Sequence, residues 1–170
     1  VGERWIEEFP GVRPQKLPPL LSRSGAEFEQ RIEAAVRASL PAFTFARPRR
    51  DPGHHNAEVI ARIAGIEPGT SLVLFQPRLQ ATLGVWRLRG DVDILLVERA
   101  ANGAVQILIA DMKSSKAARV EHRLQVAFYH EMLRALLDEA AIPVGDSKLA
   151  ILYRGPSVLD AGATPEEREQ

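Results

Sequence analysis

The chain has 170 residues, 45% of them hydrophobic and 26% charged, with 22 basic and 22 acidic side chains and a formal net charge of zero. That is enough for one domain with a buried core, and a nucleic-acid partner would have to be gripped by a local basic surface because no global field attracts it. The absence of cysteine excludes disulfides, zinc–thiolate sites and iron–sulfur clusters within this chain and accords with a cytoplasmic protein, and no apolar run approaches the roughly 18 residues of a membrane span.

The sequence opens at Val1, so further chain before it is expected. Residues 1–21 hold Pro10, Pro14, Pro18 and Pro19 and read as an extended arm or linker. Ser24 then precedes Phe28, Ile32, Ala35, Val36 and Leu40 at helical spacing, with Glu27 three residues on as in a capping box. Residues 46–55 are a polar loop carrying Arg47, Arg49, Arg50, His54 and His55. A short helix is expected near 57–64, and strands near 72–75, 78–85 and 87–97. Asn102-Gly103 signals a tight turn, so 105–112 should return as the second strand of a hairpin. A long helix is expected over about 118–140, with Val120, Leu124, Ala127, Phe128, Met132, Ala135 and Leu136 as its buried stripe. Residues 148–153 form a last strand, and 161–170 read as a polar tail. The order predicts an α/β fold with a mixed central sheet flanked by helices. The main domain is expected over 22–158, between a Pro-rich arm at 1–21 and a tail at 159–170.

The chemistry concentrates between residues 90 and 129. Asp91 and Asp93 are two apart on one expected strand, and Asp111 and Lys113 two apart on the next, so each pair should share a sheet face. Positions 93 and 111 average 102 and the turn lies near 102.5, which sets Asp93 and Asp111 nearly opposite one another. Two facing carboxylates repel unless a cation lies between them, and Mg²⁺ or Mn²⁺ prefers oxygen ligands of this kind. Asp91 and Asp93 both remain candidates on spacing alone, and such a trio can equally be surface charge at strand ends. His54 and His55 are read first as a solvated pair, and Arg47, Arg49 and Arg50 as a solvated loop.

Gly90-Asp91-Val92-Asp93, Asp111-Met112-Lys113 and Gln125-Val126-Ala127-Phe128-Tyr129 resemble, in order and spacing, the GxxD, (D/E)xK and QxxxY series of RecB-like PD-(D/E)xK nucleases. Gly25-Ala26-Glu27-Phe28-Glu29 is similar to the helix motif upstream of them, with Glu29 rather than Glu27 in the metal-side position. The resemblance spans about residues 25–153. It implies a restriction-endonuclease-like core of helix, three strands, helix, strand (αβββαβ). It also implies metal ligation by Asp93, Asp111 and the Met112 carbonyl, with Glu29 acting directly or through water. Lys113 would position the attacking water, and Gln125 and Tyr129 would share the helix face looking onto the site. The GxxD register favours Asp93 over Asp91. The third motif begins with Asp where Glu is commoner, and the cysteines of the iron–sulfur relatives are missing. Lys116, Arg119 and Arg123, just beyond the DxK strand, are the phosphate-contact candidates.

The resulting expectation is a Mg²⁺- or Mn²⁺-dependent deoxyribonuclease, acting on single-stranded DNA or DNA ends in repair, recombination or defence. A helicase or other domain outside the chain is a candidate partner. The competing expectations are a catalytically silent nuclease-fold module that binds nucleic acid or a protein, and a purely structural domain of a larger protein.

Overall fold

The computed structural model describes residues 19–46, 53–113 and 119–154, with side chains from residue 25 onward. Most of the Pro-rich arm, Arg47, Arg49, Arg50, Lys116 and the polar tail lie outside the described residues. The elements run α1 (Pro19–Arg37), β1 (Ala42–Thr44), α2 (Asn56–Ala64), β2 (Ser71–Phe75), β3 (Arg78–Leu83), β4 (Trp86–Asp91), β5 (Ile94–Arg99), β6 (Val105–Lys113), α3 (Val120–Glu139) and β7 (Val144–Tyr153). Among the described residues no helix is long and apolar enough to cross a membrane.

Five strands form one mixed sheet in the order β1-β2-β5-β6-β7, and β3 and β4 form a separate two-stranded sheet. The meander β2-β5-β6 is antiparallel, and β7, returning after α3, lies parallel to β6. Parallel neighbours need a crossover connection, here a helix. The expected core of helix, three strands, helix and strand is therefore present, with β1, α2 and the β3–β4 hairpin added to it.

Alternation along the strands divides the sheet's side chains between two cores. Leu74, Leu95, Val97, Ile107 and Ile109 enter one cluster with Val59 and Ile63 of α2 and Met132, Leu133 and Leu137 of α3. Val73, Phe75, Ile94, Ala110 and Met112 enter the other, against Phe28, Ile32 and Val36 of α1. The helical spacing of those last three residues supplies the apolar face of α1. Asp111 has the parity of Ile107 and Ile109, and is thereby placed on the α3 side.

Four expectations are corrected. Ser24 lies inside α1, which begins at Pro19, so Ser24 is not its N-cap; Pro at a helix start leaves no useful N–H unsatisfied. The expected strand 87–97 breaks at Val92–Asp93 into β4 and β5, which belong to different sheets. The hairpin loop is longer than a two-residue turn: Arg99 pairs with Val105, and Gly103 adopts φ +85°. On α3 the buried side chains are Val126, Tyr129, Met132, Leu133, Leu136 and Leu137, whereas Val120, Leu124 and Phe128 are exposed. The apolar residues of α3 occupy two faces, and periodicity alone did not say which faces the sheet.

Candidate active site

The β5–β6 hairpin pairs Ile94 with Ala110 and Leu95 with Ile109. Continued by one residue, this register sets Asp93 opposite Asp111, the juxtaposition expected from the sequence. Asp111 is 1% exposed. One oxygen of Asp93 accepts the Met112 backbone N–H at 2.7 Å, so Asp93 is held at the start of β5 by the strand that carries Asp111.

The Lys113 ammonium lies 2.6 Å from Asp111 Oδ2. This ion pair is the partner of Asp111 Oδ2, a buried oxygen that meets no other donor among the described residues. Lys113 donates to Gln125 Oε1 at 3.0 Å. Gln125 Nε2 donates in turn to the Tyr129 hydroxyl at 2.5 Å. Gln125 and Tyr129 are four apart on α3 and so lie on one helix face. His122 Nδ1 meets the Tyr153 hydroxyl at 3.3 Å, tying the first turn of α3 to β7, whose Tyr153 is the register partner of Lys113. The result is a chain from Tyr129 through Gln125 to Lys113 that fixes where the ammonium points.

Burial raises the Asp93 carboxyl from the ordinary 3.8 to about 7. The Met112 N–H opposes that shift, and the carboxylates of Asp111 and Glu29 add to it. Glu29 is thus close enough to be felt electrostatically at Asp93. Burial likewise pushes the Tyr129 phenol far above its usual range, leaving a neutral hydroxyl for the Gln125 contact.

Among the described residues no group of three or more His, Asp or Glu side chains could hold one cation. The acidic centre is therefore a pair, Asp93 and Asp111, with Glu29 at longer range. That pair suits an ion such as Mg²⁺, which keeps several waters and takes one or two carboxylates. The repulsion that the Asp111 and Glu29 carboxylates exert on the buried Asp93 carboxyl is the feature a divalent cation would relieve.

The alternatives are sorted by their partners. Asp91 forms a two-pronged pair with Arg78, at 2.6 Å and 3.1 Å, across the β3–β4 ladder. The strand break turns it into the other sheet and gives it this structural partner. Asp91→Asn is accordingly expected to lower the melting temperature, an effect of the size of one partly exposed ion pair. His55 is also structural: its ring stacks on Phe45 and its Nδ1 accepts the Arg78 N–H at 3.0 Å. His54 Nδ1 accepts the Asn56 N–H at 3.4 Å. Arg119 and Arg123 are exposed at the start of α3, where they can meet solvent-borne phosphates.

The reason for Gly90 was not visible in the sequence. A Cβ there would lie 2.3 Å from Tyr129 Cε1, so the glycine makes room for the ring that ends the Lys113 chain. Gly90→Ala should cost about 1–3 kcal/mol through overpacking and slow cleavage by displacing Tyr129. The check is a double-mutant cycle by thermal melting: with Tyr129→Ala as the second change, the two losses should be far from additive. Additive losses would mean that the Gly90–Tyr129 contact does not matter.

No curated protein matches the chain. Two solved structures of the Legionella pneumophila effector protein RavZ, one of them in complex with human LC3B, resemble it at 11% and 10% identity with TM-scores of 0.31 and 0.33. They cover 58% and 68% of this chain, which spans only 26% and 35% of theirs. A likeness that weak carries no argument about fold or function. The family comparison is of a different order, because it takes in nearly every residue together with the whole motif series: the PD-(D/E)XK nuclease superfamily model matches residues 4–169, and the chain belongs to that superfamily.

Proposed function

We propose that this protein is a divalent-metal-dependent nuclease of the RecB-like branch, hydrolysing DNA phosphodiester bonds. The observation that carries the reading is the hairpin register that opposes Asp93 to Asp111 and leaves Lys113 ion-paired to Asp111 and held by Gln125. Members of the superfamily generally use divalent metals such as Mg²⁺. Here Asp93, Asp111 and the Met112 carbonyl would hold Mg²⁺ or Mn²⁺, with Glu29 reached through water. When bound, the ion supplies Lewis acidity and a more acidic coordinated water.

The chain's own residues do the rest. Lys113 sits where it can orient a water for attack and offset charge growing on the phosphate oxygens. Gln125, itself held by Tyr129, gives the ammonium a second partner beside Asp111 and so fixes its position. Arg119 and Arg123, and Lys116 from the sequence, grip flanking phosphates without reading bases. Repair, recombination or defence against foreign DNA is the setting in which such a centre serves, with a helicase or other domain as partner.

The test is incubation of the purified protein with end-labelled single-stranded and duplex DNA in Mg²⁺, in Mn²⁺ and in EDTA. Cleavage in either metal and none in EDTA is expected, with the product ladder separating end-dependent from internal cutting. Metal-replete protein that binds DNA and leaves it intact would favour the silent nuclease-fold module.

A further inference from the structure

A cleft of about 390 Å³ opens between β4 and α3, within the roughly 300–1,000 Å³ of ligand clefts. Leu88, Leu124 and Phe128 provide its apolar walls and Glu121 its acidic one, while the Arg89 guanidinium is turned to the Gly53 carbonyl at 2.9 Å. It shares Gln125 and Tyr129 with the chain that holds Lys113, so it adjoins the candidate site rather than standing apart. Leu124 and Phe128 are 53% and 51% exposed, on a helix whose opposite face is fully used in the core. Solvent-facing apolar side chains that rim a cleft beside a polar site mark a binding surface more often than a stray hydrophobe does.

The chemistry of the walls selects the occupant. A bare phosphate would be disfavoured by Glu121 and by the three apolar side chains. A flat aromatic ring with polar edges satisfies all of them: Phe128 and the leucines cover its faces, while Glu121 offers an acceptor to an amino group on its rim.

Resting on the nuclease reading, we propose that this cleft holds one unpaired nucleobase of the DNA strand, beside the phosphate that is cut. A base inside a duplex has both faces stacked and its edge paired, so it cannot enter. The cleft therefore makes the protein prefer single-stranded or frayed DNA, and it sets the strand's register on the Asp93–Asp111 centre.

The test measures anisotropy of labelled short single-stranded DNAs, each with one abasic position, in Ca²⁺. The proteins compared are the wild type, Phe128→Ala and Phe128→Trp, with thermal melts confirming that the variants fold. One abasic position should weaken wild-type binding about tenfold. Phe128→Ala should bind the intact strand about tenfold more weakly and become insensitive to that position. Phe128→Trp should restore both properties. A flat abasic scan, or a Phe128→Ala variant that binds every strand as the wild type does, would overturn the proposal. Wild-type cleavage in Mg²⁺ is run alongside. Cleavage with a flat scan removes the cleft and leaves the nuclease, whereas base-dependent binding without cleavage removes the nuclease and leaves the cleft.

Discussion

Lys113→Ala should reduce the rate of DNA cleavage by about 10²–10⁴-fold, the range for losing one positioned proton-transfer or charge-stabilising group. Folding and metal affinity should survive the change. Lys113 is partly exposed at the end of β6, and its main partners are Asp111 and Gln125. Removing the ammonium takes a competing cation away from Asp111, so Mn²⁺ affinity should hold or rise. Asp111→Asn should differ in kind, losing metal affinity as well as rate. Lys113→Arg is the useful third variant. It keeps the charge but replaces a compact ammonium with a planar fork, which the Gln125 oxygen is not placed to hold, and it should recover only a small part of the activity. A Lys113→Ala protein that cuts at the wild-type rate would remove the lysine from the mechanism and leave Gln125 and Tyr129 without an assigned purpose.

The second large effect is on stability. With its carboxyl raised to about 7 by burial and by its acidic neighbours, Asp93 is protonated more readily in the folded protein than in the unfolded chain. A raised carboxyl contributes stability that is fully present below the unfolded value near 4 and is lost as pH rises through about 7. The metal-free protein should therefore lose stability between about pH 4 and pH 7 by up to roughly 4 kcal/mol from this group, at 1.36 kcal/mol per unit.

Asp93→Asn removes the titration while its amide oxygen can still accept the Met112 N–H. The metal-free variant should thus melt above the wild type at about pH 8, and show a flatter dependence on pH, although it cannot cut DNA. A divalent cation competes with the same proton, so Mg²⁺ should raise the wild-type melting temperature more at about pH 8 than at about pH 5. Parallel pH profiles for wild type and Asp93→Asn in EDTA would contradict this account of Asp93. Such an inverse relation is what a functional site costs: a charge placed to hold a metal would destabilise the metal-free protein.

The sequence carried the centre of the site because its geometry is local. The register of one hairpin fixes Asp93 against Asp111, and the central position 102 was readable from the two strands even though the loop proved longer than the Asn102-Gly103 signal implied. A change in loop length that preserves the centre preserves the pairing. The DxK pair needed only strand parity, and Gln125 with Tyr129 only helical spacing.

What was not legible depends on contacts between distant segments. Asp91 and Asp93 look alike until the break at Val92–Asp93 sends Asp91 into the other sheet, against Arg78. That break has no local marker, since residues 87–97 read as continuous strand. The apolar residues of α3 could not be assigned to faces, because Val120, Leu124 and Phe128 repeat at helical spacing just as Val126, Tyr129 and Leu133 do. Only the position of β3 and β4 over the helix decides which row is covered. The demand for Gly90 arises in the same way, from a ring nearly forty positions away in the chain. Glu29 lies between the two cases: its helix was readable, but its distance from Asp93 is set by how α1 lies on the sheet.

The central claim is that Asp93 and Asp111 hold a divalent metal beside Lys113 for phosphodiester hydrolysis. Its most direct test is the single-turnover rate of cleavage of end-labelled single-stranded DNA against Mn²⁺ concentration, for wild type and Asp111→Asn. The account predicts saturable, EDTA-reversible cleavage by the wild type, with the Asp111→Asn curve shifted to much higher Mn²⁺ or flat at zero. Superimposable curves, or cleavage that persists in EDTA, would contradict it.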